Sequence, residues 1–341
     1  DSKKEKMKGL KDNYQRTIDY LRVSITDRCN LRCIYCMPSG GLIPIEHKEI
    51  LRYEEMIRVI RIAAGIGVRK IRITGGEPLV RRNVVYLIAS IKNIPGIEDL
   101  SLTTNGILLS RYAEELKSAG LDRVNVSLDT LKPERYREIT RCGDLSFVLK
   151  GIEAIEKAGL NPIKINMVPI RGVNIDEIEA FARLTLKAAY QVRFIEYMPF
   201  GSEDMWSPEK FISTEEIKSI VEGIGPITPA KLKKSGPARY FRFENAPGVI
   251  GFISPISNHF CNECNRLRLT ADGKLRPCLF SETEIDLKPA LRGGASDDEI
   301  RRLIKLSIEV KPEGHNIVPQ NLSSLIKNRE YCKKLMSRIG G

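Results

Sequence analysis

Short apolar runs rich in β-forming residues alternate with longer helical patterns between residues 20 and 199. The runs predict strands at residues 20–25, 70–74, 99–104, 123–128, 162–170 and 192–198. Between them, apolar residues recur three and four positions apart, as the buried face of a helix requires. Because parallel strands need helical crossovers, six such units predict an α/β fold with a parallel sheet. The uninterrupted series favours an open or incomplete barrel over a doubly wound sheet.

The pattern changes after about residue 205. One helical stretch is followed by short β runs separated by Gly, Pro and Asn, and then by terminal helices. Residues 266–280 have the form of a β-hairpin around an Asp272-Gly273 turn. We therefore predict two domains, a partial barrel over residues 13–205 and a smaller C-terminal domain over residues 206–341.

Glycines and polar residues lie at the ends of the predicted strands. Gly75 and Gly76 follow the second strand, Asn105 follows the third, and Ser127 lies near the end of the fourth. Since ligands bind at the carboxyl ends of strands in parallel α/β folds, we expect these loops to converge on one mouth.

Composition and charge narrow the function classes. The 341 residues are 42% hydrophobic and 29% charged, which is typical of globular proteins and argues against a disordered chain or a fibre. The sequence has no run of ~18 apolar residues and no signal-like start, so we expect a cytoplasmic protein with no membrane span. The net charge of +12 makes polyanions natural partners: nucleic acid, an acidic protein or a phosphorylated small molecule.

Six of the eight cysteines form two groups of three. The first cysteine group is Cys29, Cys33 and Cys36, and the second cysteine group is Cys261, Cys264 and Cys278. In a chain without a secretory signal, such groups indicate metal binding or catalysis rather than disulfides. We interpret the two remaining cysteines, Cys142 and Cys332, as inert small residues.

The first cysteine group has the spacing C-x3-C-x2-C. Three thiolates on one loop can hold three irons of a 4Fe-4S cluster and leave the fourth iron open for chemistry. Zinc is the competing metal, but a structural zinc site needs a fourth ligand. His47 is the nearest candidate, and we interpret it as a solvent-exposed histidine.

The second cysteine group has the spacing C-x2-C-x13-C and also lacks a fourth thiol. A zinc site would need His259 or His315 as the fourth ligand. Between its cysteines, Arg266 and Arg268 lie on the same face of a predicted strand. Their guanidinium groups are predicted to form a two-pronged anion clamp beside the metal.

Two motifs carry a resemblance to a known superfamily. The first cysteine group, with Tyr35 before its last cysteine, follows the first strand, and Gly-Gly-Glu-Pro at 75–78 follows the second. This pair resembles the radical S-adenosylmethionine superfamily. With HFCNECNRLRLTADGKLRPCLF at 259–280, the chain also resembles the GTP 3′,8-cyclases of molybdenum cofactor biosynthesis, over nearly its whole length.

The resemblance implies an incomplete TIM-like (β/α)6 barrel with a smaller C-terminal iron–sulfur domain. It implies two 4Fe-4S clusters and S-adenosyl-L-methionine as cofactors, and a lyase that makes (8S)-3′,8-cyclo-7,8-dihydroguanosine 5′-triphosphate from GTP. An adenosyl radical made at the first cluster would remove the 3′ hydrogen, and the carbon radical would attack C8 of the guanine. The second cluster would help to hold the purine.

The resemblance also assigns roles to individual positions. The metal ligands are the six residues of the two cysteine groups. S-adenosylmethionine binding is assigned to Tyr35, Gly76, Ser127 and Met198. GTP binding is assigned to Arg22, Arg72, Thr103, Lys164, Arg266 and Arg268. Catalytic roles fall on Arg266, Arg268, Gly340 and Gly341, because the double-glycine tail would reach the active site.

Lys164 and Arg72 are the informative members of this set from physical chemistry alone. Each basic side chain lies inside an otherwise apolar predicted strand, where it is costly without an anion or a carboxylate partner. A nucleoside triphosphate offers about four negative charges to such side chains.

Two rival functions remain open from the sequence. One is a radical S-adenosylmethionine peptide maturase with an auxiliary cluster, although such domains generally carry more cysteines. The other is a basic iron–sulfur or zinc protein that binds nucleic acid, although 6% aromatic residues give no sign of stacking platforms. For the cyclase, the resemblance implies a flavodoxin or ferredoxin type of low-potential electron donor and a downstream cyclic pyranopterin monophosphate synthase. It also implies a homodimer, with no nucleic-acid or membrane partner.

Overall fold

The computed structural model describes residues 10–38, 40–200, 206–232, 236–327 and 336–339. All six predicted strands are present, as β1 (Tyr20–Ser24), β2 (Lys70–Thr74), β3 (Asp99–Thr104), β4 (Arg123–Ser127), β5 (Lys164–Met167) and β6 (Gln191–Ile195). The fifth strand is shorter than predicted because Pro162 and Pro169, which lack an N–H group, flank it.

Helices connect these strands, as the pattern predicts. They are α1 (Tyr53–Gly65), α2 (Val84–Lys92), α3 (Leu109–Ser118), α4 (Pro133–Thr140), α5 (Leu145–Lys157) and α6 (Ile178–Lys187). Helix α4 was not predicted, since its short polar sequence carries little apolar periodicity. Pro133 at its first position fixes a helical φ and removes an N–H group that would lack a partner.

The later part of the chain contributes six more strands and five helices among the described residues. The strands are β7 (Ile227–Pro229), β8 (Arg239–Phe243), β9 (Val249–Ile253), β10 (Arg266–Leu269), β11 (Lys274–Arg276) and β12 (Ile285–Asp286). The helices are α7 (Thr214–Glu222), α8 (Lys288–Arg292), α9 (Asp297–Glu309), α10 (Leu322–Lys327) and α11 (Met336–Ile339). The predicted hairpin is present as β10 and β11, with Gly273 at φ +93° in its turn.

All twelve strands belong to one sheet, in the order β12-β11-β10-β1-β2-β3-β4-β5-β6-β9-β8-β7. The central eight, from β10 to β9, run parallel to one another. Its two edge strands do not pair with each other in the described chain, which confirms the prediction of an incomplete barrel. Strands β9 and β10 extend the sheet on both sides, so the two predicted domains share it. The boundary at residues 205 and 206 stays a prediction.

Side chains alternate across the parallel strands between an apolar and a polar face. Apolar residues such as Leu21, Ile71 and Ile165 are buried in the main hydrophobic core with the helices. Their neighbours Arg22, Arg72 and Lys164 point to the opposite face and line a cavity. The alternation therefore places a layer of basic side chains inside the open barrel.

No helix in the described ranges is long and apolar enough to cross a membrane.

Candidate active site

One large cavity fills the concave side of the sheet. All predicted site residues that the structure describes line it: Arg22, Cys29, Cys33, Tyr35, Cys36, Arg72, Gly76, Thr103, Ser127, Lys164, Met198, Cys261, Cys264, Arg266, Arg268 and Cys278. Gly340 and Gly341 lie outside the described residues, as does Cys332. The structure thus brings together residues that are more than 240 positions apart in the chain.

The two cysteine groups lie at opposite ends of strand β1. The first cysteine group follows the carboxyl end of β1. Strand β10 pairs in parallel with β1, with Arg266 opposite Tyr20, so Cys264 lies near the amino end of β1. A strand of five residues spans about 16 Å. The cavity therefore has a group of three thiols near each end.

The loop of the first cysteine group is held by the carboxyl end of helix α4. The backbone N–H of Arg32 donates to the carbonyl of Thr140 (3.0 Å), and that of Ile34 donates to the carbonyl of Ile139 (2.9 Å). Burial raises the pKa of Cys33 well above its ordinary value, and nearby Cys36 and Asp129 raise it further. Thiols in such a buried setting ionise together only if a bound cation compensates their charge.

The three thiols of either cysteine group are spaced too widely to bind one metal ion together. A single metal ion needs at least three ligand atoms close together. Among the described residues, only His259, Cys261 and His315 bring three such atoms from His, Cys, Asp or Glu within 4.8 Å of one another. At least one pair of thiols in each cysteine group is therefore farther apart than 4.8 Å. Sulfurs on one zinc ion lie about 3.8 Å apart, given a Zn–S distance of about 2.3 Å. The wider spacing fits a cluster in which each thiol binds a different iron.

The second cysteine group lies among basic side chains. Burial raises the pKa of Cys264, but the positive charges of Arg266 and Lys311 outweigh this effect and lower it to about 7. Burial raises the pKa of Cys261. The surroundings of Cys264 thus favour its thiolate form.

A row of cations lies between the two cysteine groups. The strand register places Arg22 opposite Arg268 on one side and opposite Arg72 on the other. Burial and the neighbouring arginines lower the pKa of Arg268 to about 9 and that of Arg22 well below its usual range. Like charges held this close favour an anionic ligand.

Lys164 faces the same cavity from strand β5 and is 4% exposed. Burial, together with Arg193, Arg123 and Arg72, lowers its pKa to about 6. In the described part of the chain, no carboxylate lies within 4.0 Å of its Nζ, whereas nearby Arg123 forms an ion pair with Asp99. The hydroxyl of Thr103 is also buried there without a hydrogen-bond partner among the described residues. Both side chains are therefore suited to contact a ligand.

The glycine loop after β2 packs against residues 26–28, which immediately precede the first cysteine group. A Cβ atom on Gly76 would lie 2.3 Å from the carbonyl oxygen of Arg28, and one on Gly75 would lie 2.5 Å from that of Thr26. The backbone N–H of Gly76 donates to Thr26 (2.7 Å). These glycines are thus required for the close approach of two loops. Their contact with a methionine moiety stays a prediction.

Two buried carboxylates join the loops around the first cysteine group. Glu77 accepts hydrogen bonds from the backbone of Leu79 and Asn105 and from the Thr104 hydroxyl, and burial raises its pKa to about 7. Asp129 accepts from the Tyr35 hydroxyl (2.5 Å) and the Val168 backbone (2.9 Å). Burial raises its pKa to about 6.

Sequence reasoning gave no role to four charged residues of this site. Arg193 lies inside the apolar strand β6 and carries the same signal as Lys164, so it could have been found. Glu77 and Asp129 follow strands, but nothing local shows which groups they bond. Lys311 gave no sequence signal because its contacts lie more than 30 residues away along the chain.

Glu196, which follows the carboxyl end of β6, links two later segments of the chain to the barrel by hydrogen bonds. Its buried carboxylate accepts hydrogen bonds from the backbone N–H groups of Thr214 (3.0 Å), Ile256 (2.9 Å) and Ser257 (3.0 Å). The hydroxyl groups of Thr214 and Ser257 also donate to it. One side chain thus satisfies five donors from two segments.

We expect Glu196→Ala to lower the free energy of unfolding by about 3–5 kcal/mol, because buried donors lose their acceptor. Chemical denaturation measures this change. The exposed Glu153→Ala on helix α5 is the matched control and should stay within about 0.5 kcal/mol. Equal stabilities of the two variants would show that the carboxylate is not a fastening point.

Comparison with known proteins agrees with this geometry. Residues 23–185 match the family model "Radical SAM superfamily", and residues 190–317 match "Molybdenum Cofactor Synthesis C". SuiB of Streptococcus suis, in a structure bound to S-adenosylmethionine, is similar with a TM-score of 0.60 at 15% identity. That alignment covers 93% of this chain and 76% of SuiB, and it shows the fold alone. Fold, cysteine loop and family match together define a radical S-adenosylmethionine enzyme, a class that uses a 4Fe-4S cluster and S-adenosylmethionine.

Relatives with similar sequences identify the family within this class of enzymes. A protein of Thermodesulfovibrio yellowstonii named GTP 3′,8-cyclase is 54% identical over 97% of this chain and 100% of its own length. One of Heliobacterium modesticaldum with the same name is 52% identical, over 97% of this chain and 99% of its own length. The chain belongs to the GTP 3′,8-cyclase family of molybdenum cofactor biosynthesis.

Proposed function

We propose that this chain converts GTP to (8S)-3′,8-cyclo-7,8-dihydroguanosine 5′-triphosphate, the first step of molybdenum cofactor biosynthesis. The observation that carries the proposal is a single cavity with three thiols near each end and a row of buried cations between them. About 16 Å along β1 leaves room for a nucleotide between the two cysteine groups. The buried cations match its triphosphate.

We propose that the first cysteine group holds a 4Fe-4S cluster, which supplies the electron that cleaves S-adenosylmethionine to an adenosyl radical. Tyr35, Gly76, Ser127 and Met198 line the cavity around this group and would bind S-adenosylmethionine. The hydrogen bond from Tyr35 to Asp129 fixes the orientation of that ring. Glu77 and Asp129 keep the surrounding loops in place, so that the reacting groups are held rather than diffusing.

Arg22, Arg72, Thr103, Lys164 and Arg268 would hold GTP, with Arg266 beside the second cysteine group. Guanidinium pairs bind phosphate oxygens in bidentate fashion, and these residues project from five strands of one rigid sheet. The chain thereby fixes the ribose between its phosphate contacts and the purine. Catalytic roles for Arg266, Arg268, Gly340 and Gly341 stay predictions.

We propose a second 4Fe-4S cluster at Cys261, Cys264 and Cys278, whose thiol spacing exceeds that of a zinc site. Cys278→Ala should remove about four of eight iron atoms per chain, because one of three ligands is lost. Iron and sulfide analysis after reconstitution measures this. An unchanged iron content would contradict the second cluster and leave the first one untouched.

Further parts of the proposal concern partners. A flavodoxin or ferredoxin type of protein would donate the low-potential electrons, and a cyclic pyranopterin monophosphate synthase would consume the product. The homodimer and the cytoplasmic location stay predictions. The peptide maturase is not favoured, because likeness to SuiB at 15% identity shows the fold alone, while the relatives at about half identity or above carry the cyclase name.

Product analysis tests the proposed function. Removal of a hydrogen atom from GTP, ring closure, and uptake of one electron and one proton give an isomer of GTP. Reconstituted, reduced protein with S-adenosylmethionine and GTP should therefore yield a species of the same mass as GTP at a new chromatographic position. If 5′-deoxyadenosine forms without any such species, the substrate assignment is wrong.

A further inference from the structure

Lys311 is a buried cation beside the second cysteine group. It follows the carboxyl end of helix α9 and is 3% exposed. Its Nζ atom lies 2.6 Å from the carbonyl oxygen of Pro277, 2.9 Å from that of Arg266 and 3.6 Å from the Sγ atom of Cys264. Three acceptors around one Nζ match the three N–H donors of a charged ammonium group.

These contacts connect the ends of β10 and β11, the two strands that lie between Cys264 and Cys278 in the sequence. Arg266 begins strand β10, two residues after Cys264. Pro277 follows strand β11 and precedes Cys278. One side chain therefore ties together the backbone on both sides of the hairpin, at the positions next to two of the three thiols.

The charge of Lys311 is not balanced by a carboxylate. No Asp or Glu oxygen lies within 4.0 Å of its Nζ in the ranges that the structure describes. Arg16, another buried cation at this group, offers a contrast. It donates to the carbonyl of Cys261 (2.7 Å), but its guanidinium is paired with Asp12 at 2.6 Å. A buried cation without a carboxylate is costly, and the Sγ atom of Cys264, 3.6 Å away, is an ionisable acceptor that can offset its charge.

We propose that Lys311 is a positioning residue that also raises the reduction potential of the 4Fe-4S cluster held by the second cysteine group. The inference rests on the proposed function, which assigns a cluster to that group. Reduction adds negative charge to a cluster, and a nearby ammonium stabilises the more negative state. An N–H···S hydrogen bond acts in the same direction, since both net charge and hydrogen bonds to sulfur set cluster potentials.

The test uses the full chain with Cys29, Cys33 and Cys36 all changed to Ala, so that only the second cysteine group can bind a cluster. Lys311→Met removes both the charge and the donors, whereas Lys311→Gln keeps donors without the charge. Lys305→Met, exposed on helix α9, is the matched control. Iron content and an EPR-monitored redox titration are measured for each variant.

We expect Lys311→Met to lower the ratio of reduced to oxidised cluster about tenfold at a fixed potential, equivalent to about 59 mV for one electron. Lys311→Gln should bind about as much iron as the parent and shift in the same direction by less. Lys305→Met should titrate like the parent.

Two outcomes overturn the inference. One is an unchanged potential in both Lys311 variants, and the other is loss of iron from both, which would leave a purely structural role. Absence of iron from the parent triple variant is a different result. It would contradict the second cluster, and with it that part of the proposed function.

Discussion

Cys33→Ala is expected to abolish 5′-deoxyadenosine formation and to remove about four iron atoms per chain, because the first cysteine group then offers only two thiols. The backbone carbonyl of Cys33 accepts hydrogen bonds from the backbone N–H groups of Cys36 (2.9 Å) and Met37 (3.1 Å), so this residue also holds the loop together. Mass-resolved chromatography of 5′-deoxyadenosine and iron analysis measure the two effects.

Cys142→Ala is the matched control for this prediction. Cys142 lies on the same side of the molecule, with its Sγ atom 3.5 Å from the carbonyl of Asn30, but it is exposed. This variant should keep its iron and its activity. Full activity of Cys33→Ala, or equal losses in both variants, would contradict the assignment of the first cysteine group.

Lys164→Met is expected to weaken GTP binding by about 30-fold or more, corresponding to about 2 kcal/mol for a lost buried contact to phosphate. The same change should stabilise the protein without GTP. Burial and the nearby Arg193, Arg123 and Arg72 all disfavour the charged form of Lys164, so a neutral side chain of similar length removes that cost. Calorimetric titration of GTP and thermal unfolding measure the two effects.

The lowered pKa of Lys164 also predicts how the stability of the protein changes with pH. The pKa of Lys164 is lowered from 10.5 to about 6 in the folded protein. Between these values the unfolded chain holds one more proton, so the free energy of unfolding rises with pH in the wild type. Lys164→Met should lack this part of the slope, while the exposed Lys187→Met should keep it. Unaltered GTP affinity together with lower stability would show that Lys164 is structural.

The sequence predicts the barrel well because its information is local. Strands such as Lys70–Thr74 and helices such as Tyr53–Gly65 follow from apolar periodicity, and the hairpin follows from Asp272 and Gly273. Pairing is not local. Nothing in the pattern of residues 266–269 indicates that this strand lies beside β1, and this register aligns Arg22 with Arg268.

The same distinction between local and long-range information applies to the site residues. The thiols, glycines and basic strand residues carry signals in spacing or composition, and they meet in one cavity. Glu196 and Lys311 act through contacts with backbone groups far away in sequence. Their roles depend on which carbonyl and N–H groups are left without backbone partners by tertiary packing. The residue type alone does not predict those groups.

Transfer of a labelled hydrogen tests the central claim most directly. Reduced, reconstituted protein is incubated with S-adenosylmethionine and GTP deuterated at the 3′ carbon, and 5′-deoxyadenosine is examined by mass spectrometry. The proposed chemistry predicts one deuterium in 5′-deoxyadenosine and a cyclised product that has lost it. Unlabelled 5′-deoxyadenosine formed in a GTP-dependent reaction would contradict hydrogen removal at the 3′ carbon.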